Sequence, residues 1–271
     1  MKTSFLSSLK NRFAISIVDC TSEIPSTKLI QENLALWERD NWIFCQIDNS
    51  DSDSVEVEAL LFNRDGSQAG FSGNGFACLA SLLSKENKVR RVVVNSLGNS
   101  YSIETPDSDK ARLKLRQYQW IDSSYKIDHA LTNQYKEGIL SHGLIDLGNE
   151  HFVVLFDKPW VSRNDWGKIQ SEFFALSCDR EIFPDGINMG LACLNENSNL
   201  DLIVHERGCG LTGACSSGAI AAVILANKRA GVQLPMNVSQ NGGDCTVDFD
   251  PVEDGYILML SPQEDAEVIQ V

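Results

Sequence analysis

The stretch that decides the reading is residues 205–219, HERGCGLTGACSSGA, and it has an echo at residues 62–75, FNRDGSQAGFSGNG. In each, a polar residue closes an apolar run: Asn63 in the first, Glu206 in the second. A glycine-rich turn follows. Nine residues after that polar position a small nucleophilic side chain, Ser72 or Cys215, opens a second apolar segment. Apolar runs bounded by turns predict strands, and the segments after Ser72 and Cys215 carry helical periodicity. The chain therefore holds two copies of one strand–turn–helix unit, and two matched helix N-termini point to a pseudo-twofold protein with its site at the seam.

The chemistry of such a pair follows from the helix terminus. Its free N–H groups and partial positive charge hold a carboxylate without an arginine. Small residues at 73, 75, 216, 217 and 218 let a ligand approach the backbone closely. A free thiol titrates near ~8.5, and a helix N-terminus draws it towards ~7 or below, so Cys215 is expected to be a general base at neutral pH. Inverting an α-carbon without a cofactor needs a base on one face and an acid on the other, with charge stabilised on the carboxylate between them. A lone cysteine at a helix start is more often a packing residue. The recurrence of the whole pattern at one offset is what favours chemistry here.

Outward from these motifs, strands are predicted over 13–19, 42–47, 55–62, 91–95, 111–115, 152–156, 200–205, 245–249 and 256–260. Helices are predicted over 26–38, 74–84, 164–176 and 217–228. No βαβ alternation is regular enough for a doubly wound sheet, so the class is α+β. Residues 106–110 and 121–137 are the candidate inter-domain stretches.

Composition narrows the function. The 271 residues are 43% hydrophobic and carry a net charge of −14. That charge disfavours nucleic acid as a partner. No run approaches the ~18 apolar residues of a membrane span, and the N-terminus reads as mature sequence. Eight cysteines without a CxxC pair are expected to be free thiols in a reducing cytoplasm, mostly buried. His129, His142, His151 and His205 lack metal spacing; His151 is expected to order the loop beside Asn149. Cys209 precedes Gly-Leu-Thr rather than heading a helix and is read as structural.

The two quoted motifs resemble those of the diaminopimelate epimerase family, which run roughly FN-x-DGS then CGNG, and ERG-x-G-x-T-x-ACGTGA. Weaker matches are Lys10-Asn11-Arg12-Phe13, Leu147-Gly148-Asn149-Glu150-His151 and Phe183-Pro184-Asp185-Gly186-Ile187-Asn188. The resemblance implies two similar pseudo-symmetric halves, residues 1–116 with 259–271 and residues 117–258. Each would be a curved β-sheet wrapped around a central helix, with the active site in the cleft between them. It implies an isomerase that needs neither pyridoxal phosphate nor metal and inverts the α-carbon of a free amino acid. Diaminopimelate, a lysine and peptidoglycan precursor, leads as substrate.

By matching position, Cys215 is one catalytic thiol and Ser72 stands where the family has the other. Gly73, Asn74, Ser216 and Ser217 bind the reacting carboxylate. Asn63, Asn149, Asn188 and Arg207 hold the far end of the substrate, Glu206 takes an ammonium, and Asn11 lines the pocket. Members often pair as homodimers; no interface signature is present in the chain.

Departures from the family pattern matter. A serine hydroxyl is a far weaker acid than a thiol. Ser72 is thus an engineered replacement, the mark of a natural one-base enzyme, or the mark of a binding protein that has lost catalysis. The family's GIGADQ-like segment is replaced by LWERDNWIFCQID, which opens a second substrate reading, another polar amino acid such as histidine.

Overall fold

The structure, a computed structural model, describes residues 2–19, 24–107, 109–115, 118–121, 138–157, 166–195 and 199–270. It divides the chain into two compact units, Met1–Lys114 with Ile257–Val271, and Leu115–Tyr256. The class is α+β, with four helices among the described residues.

In the first unit, β1 (Lys2–Ser8) and β2 (Asn11–Ile17) form an antiparallel hairpin. Helix α1 (Thr27–Leu36) then crosses over to β3 (Asn41–Ser50), which lies parallel to β2. Strand β4 (Ser54–Asn63) returns antiparallel to β3, and the two-residue β5 (Gln68–Ala69) pairs with its end. Helix α2 (Gly73–Asn87) crosses to β6 (Arg91–Ser96), parallel to β4. Strands β7 (Asn99–Asp107) and β8 (Lys110–Leu115) complete an antiparallel meander.

The second unit repeats the same sequence of ladders. The short β9 (Gln119–Ile121) pairs antiparallel with β10 (Ile139–Asp146), and β10 with β11 (Glu150–Phe156). Helix α3 (Trp166–Ser177) leads to β12 (Asn188–Leu194), parallel to β11. Strand β13 (Leu200–Glu206) is antiparallel to β12, and β14 (Gly210–Leu211) pairs with its end. Helix α4 (Ser216–Ala230) crosses to β15 (Met236–Gln240), parallel to β13, and β16 (Gly243–Asp250) folds back on β15. After β17 (Gly255–Leu260), β18 (Gln263–Gln270) adds to β1 of the first unit.

Each unit thus contains two helical crossovers between parallel neighbours. They escape a reading by strand–helix alternation because the parallel pairs are interleaved with antiparallel hairpins.

The second helix of each unit is its centre. Helix α4 is apolar on every face and buried from Ser216 to Ala226; α2 is buried from Gly73 to Ser84. A helix without a polar stripe is stable only when enclosed. Helix α2 packs on β1, β2, β3, β6 and β7, and α4 on β10 to β13, β15 and β16. Two glycines set how closely each helix seats. A Cβ at Gly75 would stand 2.8 Å from Phe13 Cε1, and one at Gly218 2.9 Å from Val204 Cγ2. Both distances are too short for a real side chain, so glycine is required at each position.

Several expectations need correction. Residues 106–110 are not a linker: β7 and β8 form a hairpin there, pairing Asp107 with Lys110 inside the first unit. Strands β1, β7, β10, β12, β15 and β18 have no counterpart among the predicted ones. Strand β12, for instance, reads NMGLACL and is buried along nearly its whole length, so it shows no polar alternation. The other linker candidate lies outside the described residues over 122–137, as do Cys20, His129 and the first two residues of the helix expected over 164–176. Of the described cysteines, Cys178 and Cys209 are exposed and the other five buried, all as free thiols. Cys209 sits in the exposed turn after β13. Among the described residues no helix is long and apolar enough to cross a membrane.

Candidate active site

The candidate site of the second unit forms at the head of α4. Cys215 is the N-cap, in extended conformation (φ −129°, ψ 114°). Its Sγ accepts the N–H of Gly218 at 3.4 Å, as cap oxygens commonly do. Ser217 Oγ lies 3.4 Å from the sulfur. The same hydroxyl is 3.0 Å from His151 Nε2 and accepts from Asn149 Nδ2 at 3.4 Å. The turn between β13 and α4 brings Glu206 beside the thiol, and Thr212 donates to Glu206 Oε1 at 2.6 Å. Asn188 Oδ1 accepts the backbone N–H of Arg207, while its amide donates to Glu150 O. Cys215, Ser217, Asn149, Asn188, Glu206 and Arg207 are thus tied into one neighbourhood, and Ser216 is buried beside Cys215 at the first position of the helix.

Electrostatics corrects the expectation for Cys215. Burial pushes the thiol well above its ordinary range, and the Glu206 carboxylate pushes it further. The Ser217 hydroxyl and the Gly218 N–H act the other way, and less strongly. The helix terminus alone therefore does not make this sulfur an easily ionised base; at neutral pH it is a thiol. Glu206 is itself raised, chiefly by burial, against the lowering effect of its hydrogen bonds to Thr212 and Cys215. His151, fully buried, is pulled down to about 3 by burial, with the Arg207 charge adding to the effect, so its ring is neutral.

In the first unit Ser72 holds the equivalent position at the head of α2. Its φ and ψ are −146° and 109°, and its hydroxyl accepts the N–H of Gly75 at 3.1 Å. Gly73 and Asn74 follow it, both buried, and Asn74 Oδ1 has no hydrogen-bond partner among the described residues. Asn63 ends β4. Its Oδ1 accepts from Asn41 at 2.9 Å and its Nδ2 donates to Ser67 at 3.0 Å. Asn11 opens β2, opposite Ser8.

Sequence reasoning missed two residues of the site in the second unit. Gln240, at the end of β15, accepts the backbone N–H of Cys215 on its Oε1 at 2.8 Å. Thr212 fixes Glu206. Gln240 lies 25 positions from Cys215, so no local pattern reveals the contact. The T of the second motif was the available sign for Thr212.

The sequence model of the family described as diaminopimelate epimerase matches residues 143–263. A diaminopimelate epimerase from Coxiella burnetii is 29% identical over 212 residues, covering 73% of this chain and 72% of that protein. Among solved structures, a protein from Pseudomonas aeruginosa described as a predicted epimerase superposes with a TM-score of 0.72 at 12% identity, over 100% of this chain and 98% of its own. A hydroxyproline epimerase from Agrobacterium vitis, with trans-4-hydroxy-L-proline bound, gives 0.63 at 11% identity, over 100% and 92%. At such identities these two likenesses concern the fold alone.

Proposed function

We propose that this chain is a member of the diaminopimelate epimerase-like superfamily of cofactor-independent epimerases and racemases, and an isomerase acting at the α-carbon of a free amino acid, with diaminopimelate the leading substrate; the family model over residues 143–263 and the 29% identical relative support this reading. The observation that carries the reading is Cys215 capping a buried helix N-terminus beside Glu206 and Ser217. On this reading the substrate carboxylate takes the N–H groups of Ser216 and Ser217 from one helix and those of Gly73 and Asn74 from the other. Asn63, Asn149, Asn188 and Arg207 hold the distal end, and Asn11 lines the pocket. A substrate ammonium against Glu206 offsets that carboxylate's contribution to the raised thiol, which adds to the larger one from burial. Cys215 then loses its proton to water more readily, and the resulting thiolate can take the α-proton. On the same reading Ser72, which stands where the family has its second thiol, supplies a hydrogen bond or a proton. It is far too weak an acid to become the opposing base, so the chain as written has an ionisable base on one side.

The test is α-proton exchange in deuterated water, on this chain and on Ser72→Cys, with a panel of amino acids that includes diaminopimelate. The expected result is deuterium entering one stereoisomer of diaminopimelate without free inversion, and inversion appearing with Ser72→Cys. No exchange by either protein on any substrate overturns proton transfer. The replacement of the GIGADQ-like segment favours a second reading, another polar amino acid such as histidine, and exchange confined to that substrate would select it. Binding without exchange would leave a catalytically silent homologue.

A further inference from the structure

The entry of the chain into α4 is gripped from outside the helix. An N-cap residue's own N–H has no acceptor within its helix, and in Cys215 that group donates to the side chain of Gln240 at 2.8 Å. Two residues before Cys215 a second contact comes from the same hairpin, where Gly242 N donates to Gly213 O at 2.7 Å. The β15–β16 turn therefore holds the segment 213–215 at two points. The direction of the Cys215 sulfur, and so its approach to the Gly218 N–H and the Ser217 hydroxyl, depends on where that turn lies.

The first unit supplies an internal control. Ser96 ends β6 as Gln240 ends β15, each the last paired residue before a two-residue turn, Ser96 opposite Asn99 and Gln240 opposite Gly243. Ser96 is buried and its hydroxyl has no hydrogen-bond partner among the described residues. The long amide that reaches the cap is present only in the unit whose cap is a thiol.

We propose that Gln240 is a positioning residue for Cys215, holding the cap so that the sulfur keeps its contacts with the Gly218 N–H and the Ser217 hydroxyl. The inference rests on the reading of Cys215 as the reacting thiol, and its test has an arm that needs no substrate. Gln240→Met keeps the length and removes the acceptor. Alkylation by iodoacetamide is followed peptide by peptide at about pH 8.5, near the ordinary thiol pKa. A sulfur released from the Gly218 N–H and Ser217 holds less thiolate, so alkylation of Cys215 should slow about tenfold, the scale of one lost hydrogen bond. The exposed Cys178 should react unchanged and the buried Cys193 should stay protected, reporting an intact fold. In α-proton exchange the same variant should lower kcat with KM nearly constant, because the carboxylate-binding N–H groups of α4 remain.

If Gln240→Met exposes Cys193, Gln240→Asn, with the amide kept but one carbon short, is read in its place. Cys215 alkylation at the unaltered rate, or faster, in a variant whose Cys193 is protected overturns the proposal, as does a rise in KM with kcat unchanged. If exchange is absent in every protein while Cys215 alkylation slows as expected, the proton-transfer reading falls and the positioning role stands.

Discussion

The hydroxyl of Ser217 lies 3.0 Å from Nε2 of His151, a histidine with no exposed surface, and the same hydroxyl touches the sulfur of Cys215. Nδ1 of that imidazole has no hydrogen-bond partner among the described residues. Ser217 thus accounts for a buried ring that burial keeps neutral. Ser217→Ala strips the ring of this partner and should cost about 1–3 kcal/mol of stability. Urea unfolding at neutral pH measures it; a change within error would mean that the ring is satisfied in some other way.

The same histidine sets the acid limb of stability. Its folded pKa is about 3, below the unfolded value of ~6.5. A lowered pKa contributes stability that is present above ~6.5 and lost as pH falls towards the folded value. Unfolding free energy should therefore decline below ~6.5, and His151→Phe should flatten that decline. Urea midpoints from pH 7 down to pH 4 read both effects.

The buried thiols set the alkaline limb. Cys45 and Cys245 are pushed up to about 12 by burial, and Cys78 and Cys215 are raised as well. A raised folded pKa gives stability that is full below the unfolded value of ~8.5 and lost as pH climbs through the folded one. Stability should fall steadily above ~8.5, and Cys78→Ala should make the slope shallower even though it leaves a small cavity. A slope that is the same with and without Cys78 would contradict the assignment.

Gly218 and Gly75 admit no side chain at the heads of the two helices. Gly75→Ala puts a methyl carbon 2.8 Å from Phe13 Cε1 and 3.0 Å from Ile43 Cδ1. Both neighbours are buried, so the expected cost is about 1–3 kcal/mol. Gly218→Ala meets Val204 and also crowds Cys215 Sγ at 3.4 Å. It should depress α-proton exchange more than Gly75→Ala does at equal stability, a comparison made by kinetics and denaturation on the two purified variants.

Ser72 and Cys215 cap their helices with nearly the same backbone angles and the same bond to the third residue onward. Ser72→Ala should lose about 0.5–2 kcal/mol, the usual range for a removed N-cap. Ser72→Cys should lose less, since the second unit already shows a thiol in that geometry. Thermal melting of the three proteins ranks them.

The central helices and their caps were readable because they are local. A nine-residue offset, a Gly/Ser turn and an apolar run all lie within one stretch of chain, and helix termini follow short-range rules. Strands such as β3 and β4 were found because they alternate or run apolar between turn signals. Strand β12 was missed because a strand buried on both faces has no period of two, and β1 because a short mixed segment gains its structure only from its partners β2 and β18.

Local sequence accounts for the inventory: two cap positions, one thiol and one hydroxyl, each at the head of a helix too apolar to stand alone. How that thiol behaves is set by packing. Burial and the nearby Glu206 carboxylate raise its pKa beyond what the helix terminus offsets. Its backbone is held by Gln240 and its neighbour Ser217 by His151. Desolvation and hydrogen bonds between distant segments depend on which residues the fold brings together, and no spacing along the chain encodes them.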